Sequence, residues 1–385
     1  MEKQLQQKKP LTRFGEFELL KAIAILGLPA VHLMEEAVEY GYASPGLTSF
    51  AKAIIVLCAF GPSVFMLCMG FGIGGGKTSA KSIRKNGIQF LLIGVLLNIL
   101  RWLLPGILQA IIIKTPLIQD IDFSLQSDIY YFVGLYFIFF SFLRQWKVQT
   151  SGVIMISIIM LTVNTLLTPL TGKYIKNEIL AAVLGNFVYV DETSCFPLLS
   201  WAIFPSVGVL LGEVLKKSDE EKRENIMRRM LDFSAVLLGS FCVFLWNYDI
   251  DIIKTLVSPA NNYITDLPNV ILLLSLALFM VAVHYYLCKR IGASRFMGFM
   301  LRLSAFIIPF YLLQWIIIAW IFYGIRIAGG PQGCFSLGIY LACVAAVTAL
   351  CLFITMKFGM KIMKLLLKIT TFNGKKKKKN QKKET

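Results

Sequence analysis

Ten apolar runs, each about 18–24 residues long, limit what this chain can fold into. They fall near 16–34, 49–72, 87–105, 127–143, 151–170, 197–215, 231–248, 268–288, 302–323 and 334–356. A run of that length crosses the hydrocarbon core of a bilayer as a single helix. Lipid offers no partner to backbone N–H and C=O groups, so each run must bond within itself. The expected fold is all-α, a polytopic transmembrane helical bundle of ten spans, within a range of nine to twelve. Charged residues make up only 16% of the chain and hydrophobic ones 57%, against about 25% charged in an average soluble domain. Two further stretches, 107–118 and 174–190, are apolar but short or interrupted, and are expected to be interfacial or re-entrant. The opening MEKQLQQKKP is basic and polar. The run after it is too long and too charged for a signal-peptide core, so it should stay as the first span.

The connecting segments alternate in charge. With the N-terminus inside, the inner loops hold Lys77, Lys81, Arg84 and Lys85, then Arg144 and Lys147, the basic residues of 216–229, and Lys289, Arg290 and Arg295. The outer loops carry Glu35, Glu36 and Glu39, Asp120 and Asp122, Asp191 and Glu192, and Asp249, Asp251 and Asp266. Lys114, Lys173, Lys176, Lys254 and Arg326 oppose the trend. The alternation follows the positive-inside rule for two cytoplasmic termini and explains a net charge of +17. Residues 1–372 form one membrane domain and 373–385 a basic cytoplasmic tail. Before the tail, Lys357, Lys361, Lys364 and Lys368 recur at helical spacing, and a lysine run follows at 375–379. That pattern suits a basic interfacial helix held on anionic membrane lipid, at about 1 kcal/mol per lysine. Nothing else in the chain is a nucleic-acid module.

Charge within the first span stands out. The stretch RFGEFELLKAIAILGLPAVH carries Arg13, Glu18, Lys21 and His32. A charge at a helix centre costs roughly 2.5–3.5 kcal/mol on insertion scales, so such residues face protein or water and mark function. Glu18 and Lys21 share a face, three residues apart. His32 follows eleven residues after Lys21, about three turns and roughly 16 Å along the axis on much the same face.

That spacing resembles the membrane acyltransferase superfamily, which includes polysaccharide O-acyltransferases and heparan glucosaminide N-acetyltransferases. The O-acyltransferase branch opens with Arg, then Phe/Leu-Asp, then Arg-Gly-x-Ala, then a histidine eleven residues after the second arginine. Here Arg13, Phe17-Glu18, Lys21-Ala22-Ile23-Ala24 and His32 stand at those places. Glu replaces Asp, Lys replaces Arg and Ala replaces Gly; a lysine does not reproduce the bidentate contact of an arginine.

Other matches follow in family order. SVFMLCMGFGIGGGKTSAK resembles the second helix of the family, and its glycines suit close helix packing. It is not a P-loop, because the first glycine of that pattern falls at Phe71. Lys81, Arg84 and Lys85 resemble the family's basic entrance to the third span, which implies contact with acyl-CoA phosphates; ordinary inner-loop topology accounts for them equally well. Asn98 and Arg101 lie near the outer end of that span. Arg101 either anchors an anionic or sugar acceptor or, the preferred expectation, snorkels to the interface. SDIYYFVGLYF resembles the Asp-Ile-Leu opening of a span in the heparan branch, matching Asp128. FPLLSWAIFPSVGVLLGEVL resembles another span of that branch, with Trp201, Gly208 and Gly212 in place and Ser200 where a proline is usual. IIPFYLLQWIII resembles a Tyr-Leu-x-His-Trp element of the O-acyltransferases, with Gln314 at the histidine position.

The chain has two histidines. His284 is expected to be packed or interfacial. Cys58, Cys68, Cys242, Cys343 and Cys351 fall inside spans, while Cys195 and Cys334 are both on the outer side, where they could pair in an oxidising compartment. No Cys-x-x-Cys or His-x-x-x-His occurs, so no metal is expected.

The resemblance implies a multi-pass acyltransferase of the cytoplasmic membrane, with acyl-CoA, acetyl-CoA first, as co-substrate. A glycan or glycolipid would be the acceptor. His32 would be the general base and Glu18 either catalytic or structural; Arg13, Lys21, Lys81, Arg84 and Lys85 would meet the donor. Arg101, Asp128, Trp201 and Gln314 would meet the acceptor. O- versus N-acylation and association into homo-oligomers stay open. A transporter or flippase of a lipid-linked sugar or small metabolite is the alternative, although the two halves show no repeat. A scaffold subunit with a decayed site is the third.

Overall fold

The computed structural model describes residues 14–58, 60–76, 78–114, 127–175, 177–190, 194–247 and 267–370. Arg13, the 375–379 lysine run and the tail 373–385 lie outside the described residues. The chain is an all-α polytopic protein. Among the described residues seven helices are long and apolar enough to cross a membrane, and a single isolated bridge joins Ala43 to Phe335.

In chain order the helices are α1 (Gly15–Glu39), α2 (Pro45–Cys58), α3 (Gly61–Ile73), α4 (Ala80–Asn98), α5 (Leu104–Ile113), α6 (Ile129–Gln145), α7 (Thr150–Tyr174), α8 (Glu178–Leu184) and α9 (Leu198–Trp201). They continue with α10 (Ile203–Lys217), α11 (Glu220–Asn247), α12 (Leu267–Ile291), α13 (Arg295–Ala305), α14 (Ile307–Ile327) and α15 (Leu337–Thr370). Helix α1 is the hub: it packs on α2, α3, α12, α13, α14 and α15. Its buried face includes Leu19, Ala22, Ile25 and Leu33, which meet Met300, Phe310, Ile318 and Tyr340 in one apolar core.

Each expected span coincides with a helix or a pair of helices, but the breaks differ. The second span is divided between α2 and α3, where Gly61-Pro62 opens a new helix with Pro at its start. The ninth is divided at Phe306 between α13 and α14. Residues 107–113 are not a separate re-entrant piece. A π-helical turn, Ile99–Leu103, joins α4 to α5, so the helix runs on past Pro105. The basic segment at 357–368 is likewise the continuation of α15 rather than a helix of its own. Cys195 and Cys334 are not joined in a disulfide; Cys195 is buried beside Ser127, and Cys334 lies in the turn after Pro331.

Close backbone approach between α3 and α10 rests on four glycines. A Cβ at Gly70 would lie 1.9 Å from the Pro205 carbonyl oxygen, and one at Gly208 2.1 Å from that of Leu67. Gly74 and Gly212 repeat the contact one turn on, so each helix presents small-xxx-small. Lys216 then caps the end of α3, donating from Nζ to the carbonyls of Phe71, Gly72 and Gly74. Gly208→Ala is expected to lower stability by about 1–3 kcal/mol, because backbone cannot yield as a side chain can. An unchanged unfolding midpoint in detergent would refute the contact.

Candidate active site

Pro105 shapes the site from a distance. In a regular helix its ring would clash with the carbonyl of Arg101, four residues earlier. The chain avoids this with the π-helical turn, in which Leu104 N–H bonds Ile99 O. In that register Leu100 O would need an N–H from residue 105, which proline lacks. Trp320 Nε1 supplies the donor instead, at 3.0 Å. The same turn points Arg101 and Trp102 inward, 2% and 3% exposed. Arg101 therefore does not snorkel to the interface, which corrects the expectation drawn from its place near the end of a span.

Arg101 Nη1 donates to Asp128 Oδ2 at 3.3 Å, and both side chains are buried. Asp128 is the N-cap of α6, accepting the Tyr130 N–H at Oδ1, 3.1 Å, the part a carboxylate takes ahead of an apolar helix. Its Oδ2 also accepts from the Tyr311 hydroxyl at 3.0 Å. One carboxylate thus fixes a helix start, a guanidinium and a phenol.

His32 lies on α1, three residues after Pro29, and is buried. Its imidazole stacks on Trp315, with centroids 3.9 Å apart and planes 20° apart. The Arg101 guanidinium lies 4.6 Å from the same indole. Gln314 Oε1 sits 3.0 Å from His32 Nδ1, while Gln314 Nε2 donates to the Tyr311 carbonyl at 3.3 Å. That second bond turns the amide oxygen toward the ring, so Nδ1 carries the proton and Nε2 keeps its lone pair. A neutral imidazole oriented this way can accept a proton at Nε2, with a guanidinium nearby to meet developing negative charge.

His32, Gln314, Arg101 and Asp128, picked out from separate spans, are brought together. Tyr311, Trp315 and Tyr130 join them and were not picked out. The signal lay in IIPFYLLQWIII: Tyr311, Gln314 and Trp315 are spaced i, i+3, i+4, one face of a helix. Trp201 lies elsewhere, packed edge-on to Phe196 and against Phe204 in a core with Phe132 and Tyr136. His284 is buried and its Nδ1 bonds the Met280 carbonyl of its own helix at 2.7 Å, as expected of a packed histidine.

At the N-terminal end of α1, Glu18 pairs with Lys21 at 2.9 Å and accepts from the Ser304 hydroxyl. Beside it, Glu16 and Arg223 form a buried pair at 2.6 Å, with the guanidinium near Phe14 and Tyr285. Lys81 and Lys85 are exposed on α4, and Arg84 lies over Phe142, 5.4 Å from its centroid. A cavity of about 290 Å³ opens between α3, α6, α7 and α10; Gly74, Gly75, Arg144, Thr150, Glu213 and Lys217 contribute to its wall, and His32 and Arg84 do not. Among the described residues no cluster of His, Cys, Asp and Glu could hold a metal ion.

A family model described as an acyltransferase domain matches residues 14–356, nearly the whole chain. No curated protein and no solved structure matches it.

Proposed function

We propose, from the premise that the chain belongs to the acyltransferase domain family, that it moves an acetyl group from cytoplasmic acetyl-CoA to a sugar hydroxyl or amine. The acceptor would stand on the far side of the cytoplasmic membrane. The observation that carries this is the held imidazole: His32 is buried, stacked on Trp315, and bonded at Nδ1 to Gln314. A histidine that merely filled space would need neither an oriented amide nor a cation beside it.

In this scheme the N-terminal end of α1 faces the cytoplasm. The donor's phosphates meet Lys21, Lys81, Arg84 and Lys85, with Arg13 ahead of them, and the long pantetheine arm carries the thioester toward His32. Glu18, already paired with Lys21, keeps that lysine in place. The acceptor oxygen or nitrogen attacks the thioester carbonyl while His32 Nε2 takes its proton. Collapse of the tetrahedral intermediate expels CoA thiolate, which receives that proton. Arg101 Nε is buried and has no hydrogen-bond partner; it is the donor offered to the oxyanion. Asp128 keeps the guanidinium aimed.

Membranes carrying the protein, incubated with acetyl-labelled CoA, are expected to pass label to a glycan or glycolipid. Label confined to acetate and unreacted acetyl-CoA would count against the proposal. Gln314→Leu removes the group that holds Nδ1–H and is expected to lower transfer about 10²-fold, the lower end of a general-base contribution. Transfer at the wild-type rate would show that the ring needs no such partner.

A further inference from the structure

Four residues beyond His32 on the same face of α1 is Glu36, and four beyond that is Tyr40. Glu36 was expected to stand in an outer loop with Glu35 and Glu39. It lies instead in the last turn of α1, 2% exposed, and its Oε2 has no hydrogen-bond partner. The Tyr40 hydroxyl is buried and unpartnered as well. An unsatisfied buried polar atom costs about 1–3 kcal/mol, so two on successive turns call for a ligand that completes them.

The walls around this pair fit such a ligand. Tyr40 packs beneath the Arg326 guanidinium, 5.1 Å from its ring centroid, and Arg326 also covers Tyr323 at 5.3 Å. Tyr323 in turn meets Trp102 of the π-helical turn, with centroids 6.4 Å apart. Aromatic side chains therefore surround two unfilled hydrogen-bonding groups, one helical turn from the candidate base, the kind of lining that sugar rings use. Glu39 is exposed in the last turn of α1, Glu35 half-buried and Glu36 buried.

Charge narrows the ligand further. Glu35, Glu39, Arg101 and Arg326 are the charged groups within electrostatic reach of Glu36. Arg101 is already matched by Asp128, and Glu35 and Glu39 bring two more carboxyl groups near Glu36 toward the end of the helix. We propose that Glu36 and Tyr40 form the acceptor subsite, one turn outward of His32, and that it takes a neutral or amine-bearing sugar and rejects acidic ones. This rests on the reading of His32 as the base. Glu36 would hydrogen-bond a hydroxyl or amine next to the reacting group, and a uronic acid on its way there would meet the Glu35 and Glu39 carboxylates.

The test uses membranes carrying the full chain, acetyl-labelled CoA, and three added probes: methyl glucoside, glucosamine and glucuronic acid. Label is expected on the first two and at least tenfold less on glucuronic acid. Glu36→Gln is expected to raise KM for methyl glucoside and glucosamine more than tenfold with KM for acetyl-CoA unchanged; Tyr40→Phe is expected to raise the same KM values about threefold. Glucuronic acid labelled as well as methyl glucoside, or an unchanged acceptor KM in Glu36→Gln, would overturn the subsite. Failure of the His32 reading looks different: His32→Ala would then transfer label normally, whatever Glu36→Gln does.

Discussion

Replacing His32 with alanine is expected to reduce acyl transfer to background, a loss of about 10²–10⁴-fold if the imidazole supplies general-base catalysis. The other histidine, His284, bonds its own helix at Met280, and Asp128 is committed to Arg101, Tyr311 and the start of α6. Alanine also strips one face of Trp315, so a second variant separates chemistry from packing. His32→Gln keeps much of the volume and should be as inactive as the alanine form. Expression level, membrane insertion and unfolding midpoint of His32→Gln should match the parent. Full transfer by either variant would remove the central assignment and leave an acyltransferase whose base is elsewhere.

Asp128→Asn is expected to be the most damaging single change to the fold around the site. Asparagine still caps a helix, so α6 should begin where it does now. What disappears is the charge opposite Arg101, and breaking a buried pair by neutralising one partner costs about 3–5 kcal/mol. A large fall in unfolding midpoint, together with lost transfer, is the expected outcome. Combining it with Arg101→Met removes the stranded guanidinium and should return much of the stability. Activity should not return, since the donor beside His32 has gone. A stable, fully active Asp128→Asn protein would mean that the pair contributes neither to the fold nor to the reaction.

Much of this arrangement was legible in one dimension. The eleven-residue step from Lys21 to His32 and the order of later motifs pointed to the family, and Asp128 and Gln314 were singled out in their proper elements. Arg101 was misjudged because depth was counted along a helix assumed to end at Pro105. The π-helical turn lets the chain run past that proline and rotates Arg101 inward. Glu36 was misjudged for a similar reason. Counting charge by loop put it outside, whereas α1 extends through Glu39 and buries it. Trp201 sat in a well-matched motif, yet it lies in a core with Phe132 and Tyr136, apart from the cluster around His32.

Local chemistry fixed the class of molecule: apolar runs of membrane-spanning length must become helices, because lipid leaves the backbone no other partner. It did not settle their number: ten runs were expected, and among the described residues seven helices are long and apolar enough to cross a membrane. Which side chains meet was another matter. His32, Arg101, Asp128 and Gln314 come from four separate helices or helix starts, and their meeting depends on how α1, α6 and α14 pack around the irregular turn between α4 and α5. Helix rotation decides that, and rotation is set by interhelical contacts such as the glycine seam of α3 and α10, which no single segment contains.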